Sequence, residues 1–175
     1  LVLLEHPHTY TLGRRGKLSD VLVGDAALKQ MGVQVRHADR GGEVTYHGPG
    51  QIVAYPIVDV RLLGGPVTYV RTLEAVLIHT LRDFGLDARR EDALTGVWVG
   101  KEKIAAIGVK ISRGITIHGF ALNVNPDLSY FQYIVACGIP GMTITSMERL
   151  LGASISLEDV SQRLVHHFGR LFGRR

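Results

Sequence analysis

KIAAIGVKISRGITIHGFALNV, residues 103–124, decides the architecture. Ile104 to Ser112 is rich in β-branched residues, Arg113-Gly114 is a turn, and Ile115 to about Val124 continues in the same vein, so the spacing predicts two long consecutive strands. If the first strand is regular from its start, Lys103 shares a face with Ala105, Ile107, Val109 and Ile111. A lysine continuing an apolar face is partly desolvated, which disfavours its ammonium form and suits it to proton transfer. A lysine that only opens the strand reaches out to water instead. On the second strand His118 has the parity of Phe120, Leu122 and Val124, as a satisfied core histidine would, and Gly119 beside it leaves room for a ligand.

Upstream, Val97-Trp98-Val99 reads as a strand turned by Gly100. Val70, Leu73, Val76, Leu77, Leu81 and Phe84 recur at helical spacing, and Gly85 stops the helix expected over about residues 67–84. Leu1 to Leu4 read as the start of a buried strand, Asp25 to Met31 as a short helix closed by Gly32, and Val33 to Arg36 as a strand. Arg40-Gly41-Gly42-Glu43-Val44-Thr45-Tyr46-His47-Gly48-Pro49-Gly50 followed by the apolar run Gln51–Val58 predicts a hairpin with glycine at both mouths. Downstream, Asn125-Pro126-Asp127 ends the long strand, and Thr143 to Leu151 includes another short helix. Ser156-Leu157-Glu158-Asp159 opens a last helix striped by Leu157, Val160, Leu164, Phe168 and Phe172, with His166 and His167 on its solvated edge. Strands in the middle with helices between and after them give an α+β class, one domain over residues 1–175.

The 175 residues are 46% hydrophobic and 21% charged, which is ordinary for a globular chain. One cysteine cannot form an intrachain disulfide, so nothing points to an oxidising compartment. No apolar run is long enough for a membrane helix, and LVLLEHPHTY has neither the basic start nor the long apolar centre of a secretory signal. The chain opens on Leu1, so the native polypeptide is expected to begin upstream. A net charge of +4 favours acidic partners, but there is no long basic run, only the pairs Arg14-Arg15, Arg89-Arg90 and Arg174-Arg175, which reads as solvated surface rather than a nucleic-acid site. Gly96 to Lys101 fails the phosphate-loop spacing and no GxGxxG occurs, so there is no nucleotide fingerprint.

The lone cysteine, Cys137, is followed by Gly138 and Pro140 and is placed on a tight turn. Two readings stand: a small buried hydrophobe, or a nucleophile that needs a partner able to make thiolate available. His6 and His8 would share a strand face, but no other ligand cluster follows, so no metal site is expected.

Four stretches together, LLEHPHTYTLGRRG (3–16), RGGEVTYHGPGQIVAYPI (40–57), TGVWVGKEKIAAIGVKISRGITIHGFALNVNPDLSYF (95–131) and VACGIPGMTITSMERL (135–150), resemble the octanoyltransferases of lipoate biosynthesis, the LipB family. The match spans nearly the whole chain and no single short motif carries it. The resemblance implies a mixed sheet with packed helices, as in the catalytic domains of lipoate and biotin protein ligases. It implies transfer of an octanoyl or lipoyl group from acyl carrier protein to a lysine of lipoyl domains, those of the 2-oxoacid dehydrogenases and the glycine cleavage H protein, in the cytoplasm and with no cofactor. By position, Cys137 matches the family's acyl-thioester cysteine and Lys103 the lysine that promotes its thiolate. The substrate-lining positions are Arg40, Gly41, Gly42, Glu43, Val44, Thr45, Tyr46 and His47, then Ala106, Ile107 and Gly108, then Gly119, Phe120 and Ala121. His47 is a candidate to orient the acyl carbonyl or the incoming amine, or else a hairpin histidine packed on Tyr46. Backbone N–H groups near Gly108 or Gly138 are the candidate oxyanion donors. Two departures stand out: Ala136 replaces the proline many members have before the cysteine, and an N-terminal helical stretch of the family is missing. An ATP-dependent lipoate ligase, a cysteine hydrolase using His47 or His118, and a non-catalytic carrier-binding module are the rival readings.

Overall fold

The computed structural model describes residues 1–173, so the Arg174-Arg175 pair lies outside the described residues. In chain order the elements are β1 (Val2–Leu4), β2 (Thr9–Leu12), α1 (Asp25–Gln30), β3 (Gln34–His37), β4 (Val44–His47), β5 (Gln51–Tyr55), α2 (Pro66–Asp83), β6 (Ala88–Arg89), β7 (Val97–Val99), β8 (Glu102–Ser112), β9 (Ile115–Asn123), α3 (Met147–Leu151) and α4 (Leu157–Leu171). The two strands expected from residues 103–124 are β8 and β9. They pair from Ala105↔Leu122 to Ser112↔Ile115. Arg113 and Gly114 both take left-handed φ values, 52° and 85°, the geometry a two-residue hairpin turn demands.

This hairpin is the centre of a six-stranded antiparallel sheet in the order β1-β5-β9-β8-β7-β6, and a second sheet of three strands runs β3-β2-β4. The α+β class with a mixed arrangement of strands is thus as expected, with β2 and β3 parallel and every other pair antiparallel. One face of the large sheet is covered by α2 and α4. Proline at the first turn starts α2 without loss of a needed donor, and Tyr69, Leu73, Val76, Leu77 and Leu81 recur on its inner face. In α4 the Ser156 hydroxyl accepts the Asp159 N–H at 3.2 Å, and Val160, Leu164, Phe168 and Phe172 enter the same core. The small sheet has its own core, in which Tyr10, Leu12, Val44 and Tyr46 meet Ile134, Ala136, Tyr130 and Phe131.

Three expectations are corrected. Residues 40–58 are not a hairpin: β4 pairs with β2, and β5 pairs with β1 and β9, so Gly48-Pro49-Gly50 hands the chain from one sheet to the other. Gly48 is required there because a Cβ would collide with the Tyr46 hydroxyl. All four residues of β4 are buried, so its sequence carried no signal of an exposed hairpin face. β1 is an edge strand with Leu1 and Val2 over 40% exposed, not a buried one. His167 is buried between α4 and α2, its Nε2 2.9 Å from Asp83 Oδ2, while His166 stays exposed. The Asp83 carboxylate satisfies the buried ring, a pairing that helical periodicity alone does not reveal.

Candidate active site

Cys137 sits in a single 3₁₀ turn, Ala136–Gly138, that links the small-sheet core to the loop before α3. Its φ and ψ are 55° and 20°, left-handed for a residue with a side chain. That conformation costs about 1–2 kcal/mol and is held by the surroundings. Val135 N–H donates to Asp20 O at 2.8 Å, Gly138 N–H to Val135 O at 2.9 Å, and Ile139 N–H to Ala136 O at 3.1 Å. The Gly138 amide, an expected oxyanion donor, is therefore already spent on the turn itself. A methyl at Gly138 would lie 2.8 Å from Glu43 Cγ, so the turn is packed against the loop that precedes β4.

Lys103 is 6% exposed, and its Nζ donates to Cys137 Sγ at 3.3 Å. The same ammonium lies 5.0 Å from the centre of the Trp98 ring, a cation–π contact. The regular-strand expectation for Lys103 fails. Val97 faces Ala105 while Trp98 faces Lys103, so Ile104 is an extra residue and the strand bulges. Ala105 lies in the large core and Ile107, Val109 and Ile111 pack against it, Ile107 and Val109 also bordering the cavity, whereas Lys103, thrown out of phase, turns to the cavity and Cys137. Its backbone is clasped from beyond the sheet: Lys103 N–H donates to Thr143 O and Thr145 N–H to Lys103 O, both at 2.9 Å.

Between the sheets lies a cavity of about 940 Å³. Cys137 and Lys103 line it, as do thirteen of the fourteen positions expected to contact substrate: Arg40, Gly41, Gly42, Glu43, Val44, Thr45, His47, Ala106, Ile107, Gly108, Gly119, Phe120 and Ala121. Tyr46 does not line it. Its ring is fully buried in the small-sheet core, stacked on Tyr130 with centroids 5.0 Å apart. Gly108 and Gly119 are opposite each other, and a side chain at Gly108 would run into Gly41 O and the Arg40 chain.

One wall is a chain of polar groups with a fixed direction. Arg40 is buried, and its guanidinium donates to Thr11 O at 2.7 Å, Thr11 Oγ1 at 2.8 Å, Gly41 O at 3.0 Å and Glu43 O at 2.9 Å. Burial lowers its pKa from the usual range, with Cys137 and then Glu43 acting the other way. Thr11 Oγ1 lies 3.2 Å from His47 Nε2, and His47 Nδ1 lies 2.8 Å from Gln51 Oε1. Gln51 Nε2 donates to Asn123 Oδ1 at 2.9 Å and Asn123 Nδ2 to Thr145 O at 3.0 Å. Because Gln51 Oε1 can only accept, Nδ1 of His47 carries the proton and Nε2 accepts from Thr11; this tautomer is assigned from the network. Burial pushes the His47 pKa down to about 4, so the ring is neutral near pH 7. Both ring nitrogens are engaged inside the wall. His47 thus joins β2 to β5 while lining the cavity.

His118 is not a core histidine. Its φ is 63° in the middle of β9, and its Nε2 lies 2.6 Å from Asp39 Oδ1. The hydrogen bond from His118 and then that from Lys110 hold Asp39 well below the usual carboxylate range, at about 2. His6 and His8 are divided between two tyrosines, Tyr55 and Tyr46, each at 2.8 Å. Among the described residues no cluster of three or more His, Cys, Asp or Glu is placed to hold a metal. Thr11, Tyr55 and Gly96 belong to the site although nothing in their sequence context singled them out. Gly96 has φ 139°, and a Cβ there would lie 2.7 Å from Lys103 Cε.

The model of the lipoyl protein ligase A/B catalytic domain family matches residues 1–169. An octanoyltransferase of Solibacter usitatus is 56% identical over 98% of the chain and 78% of its own length. One from Caldicellulosiruptor bescii is 49% identical over 99% and 78%. The chain belongs to the octanoyltransferase family. A putative lipoate protein ligase from Thermoplasma acidophilum with bound lipoic acid superposes with a TM-score of 0.74 at 18% identity, covering 99% of the chain and 72% of the ligase. A lipoate-protein ligase A bound with ATP gives 0.76 at 18%, covering 98% and 72%. The octanoyltransferase family therefore shares its fold with the ligases, as the sequence resemblance implied.

Proposed function

We propose that this acyltransferase moves an octanoyl group from an acyl-carrier thioester to the lysine of a lipoyl domain through a thioester on Cys137. The observation that carries the reading is the 3.3 Å contact of Lys103 Nζ with Cys137 Sγ at the wall of the large cavity. That distance sets an amine able to give and take a proton directly beside the chain's one thiol. Arg40 adds a buried positive charge whose field reaches the same sulfur. The thiolate attacks the donor carbonyl, the carrier sulfur leaves, and Lys103 gives it a proton. The neutral Lys103 amine then takes a proton from the incoming lysine ammonium, the freed amine attacks the Cys137 thioester, and the thiolate leaves as the nitrogen's second proton passes to solvent. One proton is released per turnover and the Lys103–Cys137 pair is restored. Exchange of one thioester for another is nearly even in free energy and thioester to amide is downhill, so no nucleotide is needed.

The donor in this reading is octanoyl-acyl carrier protein, and the acceptors are the lipoyl domains of 2-oxoacid dehydrogenases and the glycine cleavage H protein. A net charge of +4 suits acidic proteins on both sides. Intact mass after mixing with octanoyl carrier should show one octanoyl group on Cys137, lost when apo-lipoyl domain is added and recovered on that domain. Octanoylation of the domain only with ATP and free octanoate, with release of AMP, would instead make this a ligase. Free octanoate without an acceptor would make it a hydrolase.

A further inference from the structure

Glu74, in the middle of α2, has no exposed side-chain surface, and its helical neighbours Leu73, Val76 and Leu77 are aliphatic core residues. A buried carboxyl group is costly unless its oxygens are hydrogen-bonded, which an aliphatic side chain at this position would not require. Glu74 Oε2 accepts from Arg71 Nη1 at 2.9 Å and lies 3.5 Å from Arg90 Nε, and Oε1 accepts the backbone N–H of Gly96 at 3.3 Å. Arg90 and Gly96 are the two ends of the segment 91–95, and Ala93, Leu94 and Thr95 of that segment line the cavity. One buried carboxylate therefore pins both ends of a cavity wall.

The far side of Gly96 touches Lys103. Its backbone is so close to Lys103 that a methyl group would lie 2.7 Å from Cε and 3.3 Å from Nζ. Lys103 is thus confined by the Gly96 backbone, the Trp98 ring and the Cys137 sulfur. Arg71 and Arg90 are more than 40% exposed and could be satisfied by water, whereas the Gly96 N–H is buried and depends on Glu74. We propose that Glu74 is a positioning residue for the Lys103–Cys137 pair, acting through the Gly96 N–H to set the backbone surface that holds the lysine against the thiol. It rests on the reading of Lys103 and Cys137 as the reacting pair.

The test is the pH dependence of Cys137 alkylation by iodoacetamide, with the rate of octanoyl-enzyme formation from octanoyl carrier as a second readout. Glu74→Leu should move the alkylation midpoint to higher pH and slow acylation about tenfold, since a misplacement of ~1 Å is costly in a reacting pair. Glu74→Gln keeps an oxygen for the Gly96 N–H and should stay within about twofold of the parent, a rescue that a purely charge-balancing role would not give. Glu74→Asp, which keeps the buried charge but draws the carboxylate back by one methylene, should fall between them and serves if Glu74→Leu does not fold. In a Lys103→Ala background the Glu74 effect on the alkylation profile should vanish. A folded Glu74→Leu or Glu74→Asp protein with the parental profile and rate overturns the proposal, and so does a shift that persists without Lys103. If Lys103→Ala alone leaves the profile unmoved, the reacting-pair reading falls and this proposal with it.

Discussion

Lys103 Nζ donates to Cys137 Sγ at 3.3 Å across a sequence separation of 34 residues. Trp98 and Gly96 close in on the same lysine. The contact is made by two local irregularities, a bulge that turns the lysine to the cavity and a left-handed turn that presents the sulfur.

Removal of either member should separate the half-reactions. Cys137→Ala is expected to give no octanoyl-enzyme by intact mass and no transfer above background, with an unchanged thermal midpoint. Normal transfer by that variant would exclude Cys137 as nucleophile. Lys103→Ala should retain the thiol but displace its alkylation profile to higher pH and lower acylation about 10²–10⁴-fold, the usual contribution of a matched acid–base group.

Gly96→Ala adds one methyl group 2.7 Å from Lys103 Cε and 2.6 Å from Ala105 O, at a φ of 139°. Because the Ala105 carbonyl belongs to the sheet, the lysine must give way. The variant is expected to lose both stability, by about 1–3 kcal/mol in urea unfolding, and most of its acylation rate. Parental kinetics would mean that Lys103 has room that the packing denies it.

His47 ties stability to pH. Its folded pKa is about 4, set by burial, against 6.5 in the unfolded chain. The unfolded state therefore binds more protons between those values, and stability falls as the pH is lowered through that window. The contribution is roughly 3 kcal/mol at most for a shift of this size. Urea midpoints at pH 7 and pH 4.5 should differ less for His47→Gln than for the parent, even though the variant starts lower. An equal acid loss in both would show that His47 is not the group responsible.

The packing of α2 on the large sheet is expected to dominate stability. Leu77 is fully buried in that core, so Leu77→Ala should cost about 2–5 kcal/mol in chemical unfolding while leaving the alkylation profile of Cys137 in place. A shifted profile would couple the core to the site more tightly than the contacts suggest.

Much of the frame was legible because it rests on periodicity. The β8–β9 pair, α2 and the stripe of α4 each bury one regular face, and regular faces leave regular spacing in the chain. The site was legible only in part, since it is assembled where regularity breaks. Extrapolating β8 back to Lys103 misassigned its face because Ile104 is an extra residue that no pattern of apolar side chains marks. β4 and β5 read as partners because they are adjacent in sequence, yet Gly48-Pro49-Gly50 sends them to different sheets. Tyr46 was grouped with its neighbours in sequence as a cavity residue, but β4 is buried on both faces and its tyrosine turns to the aromatic cluster. Glu74 and Gly96 carry no motif at all; their link is a single hydrogen bond between a helix and a loop.

The two hydrogen bonds that join Lys103 to Thr143 and Thr145 have a mechanical consequence. The strip of backbone that clasps the lysine is the strip that leads away from the cysteine, so the two residues are tied through the main chain as well as through their own contact. Movement at the rim of the cleft is then met by a main-chain tie as well as by the side-chain contact between Lys103 and Cys137.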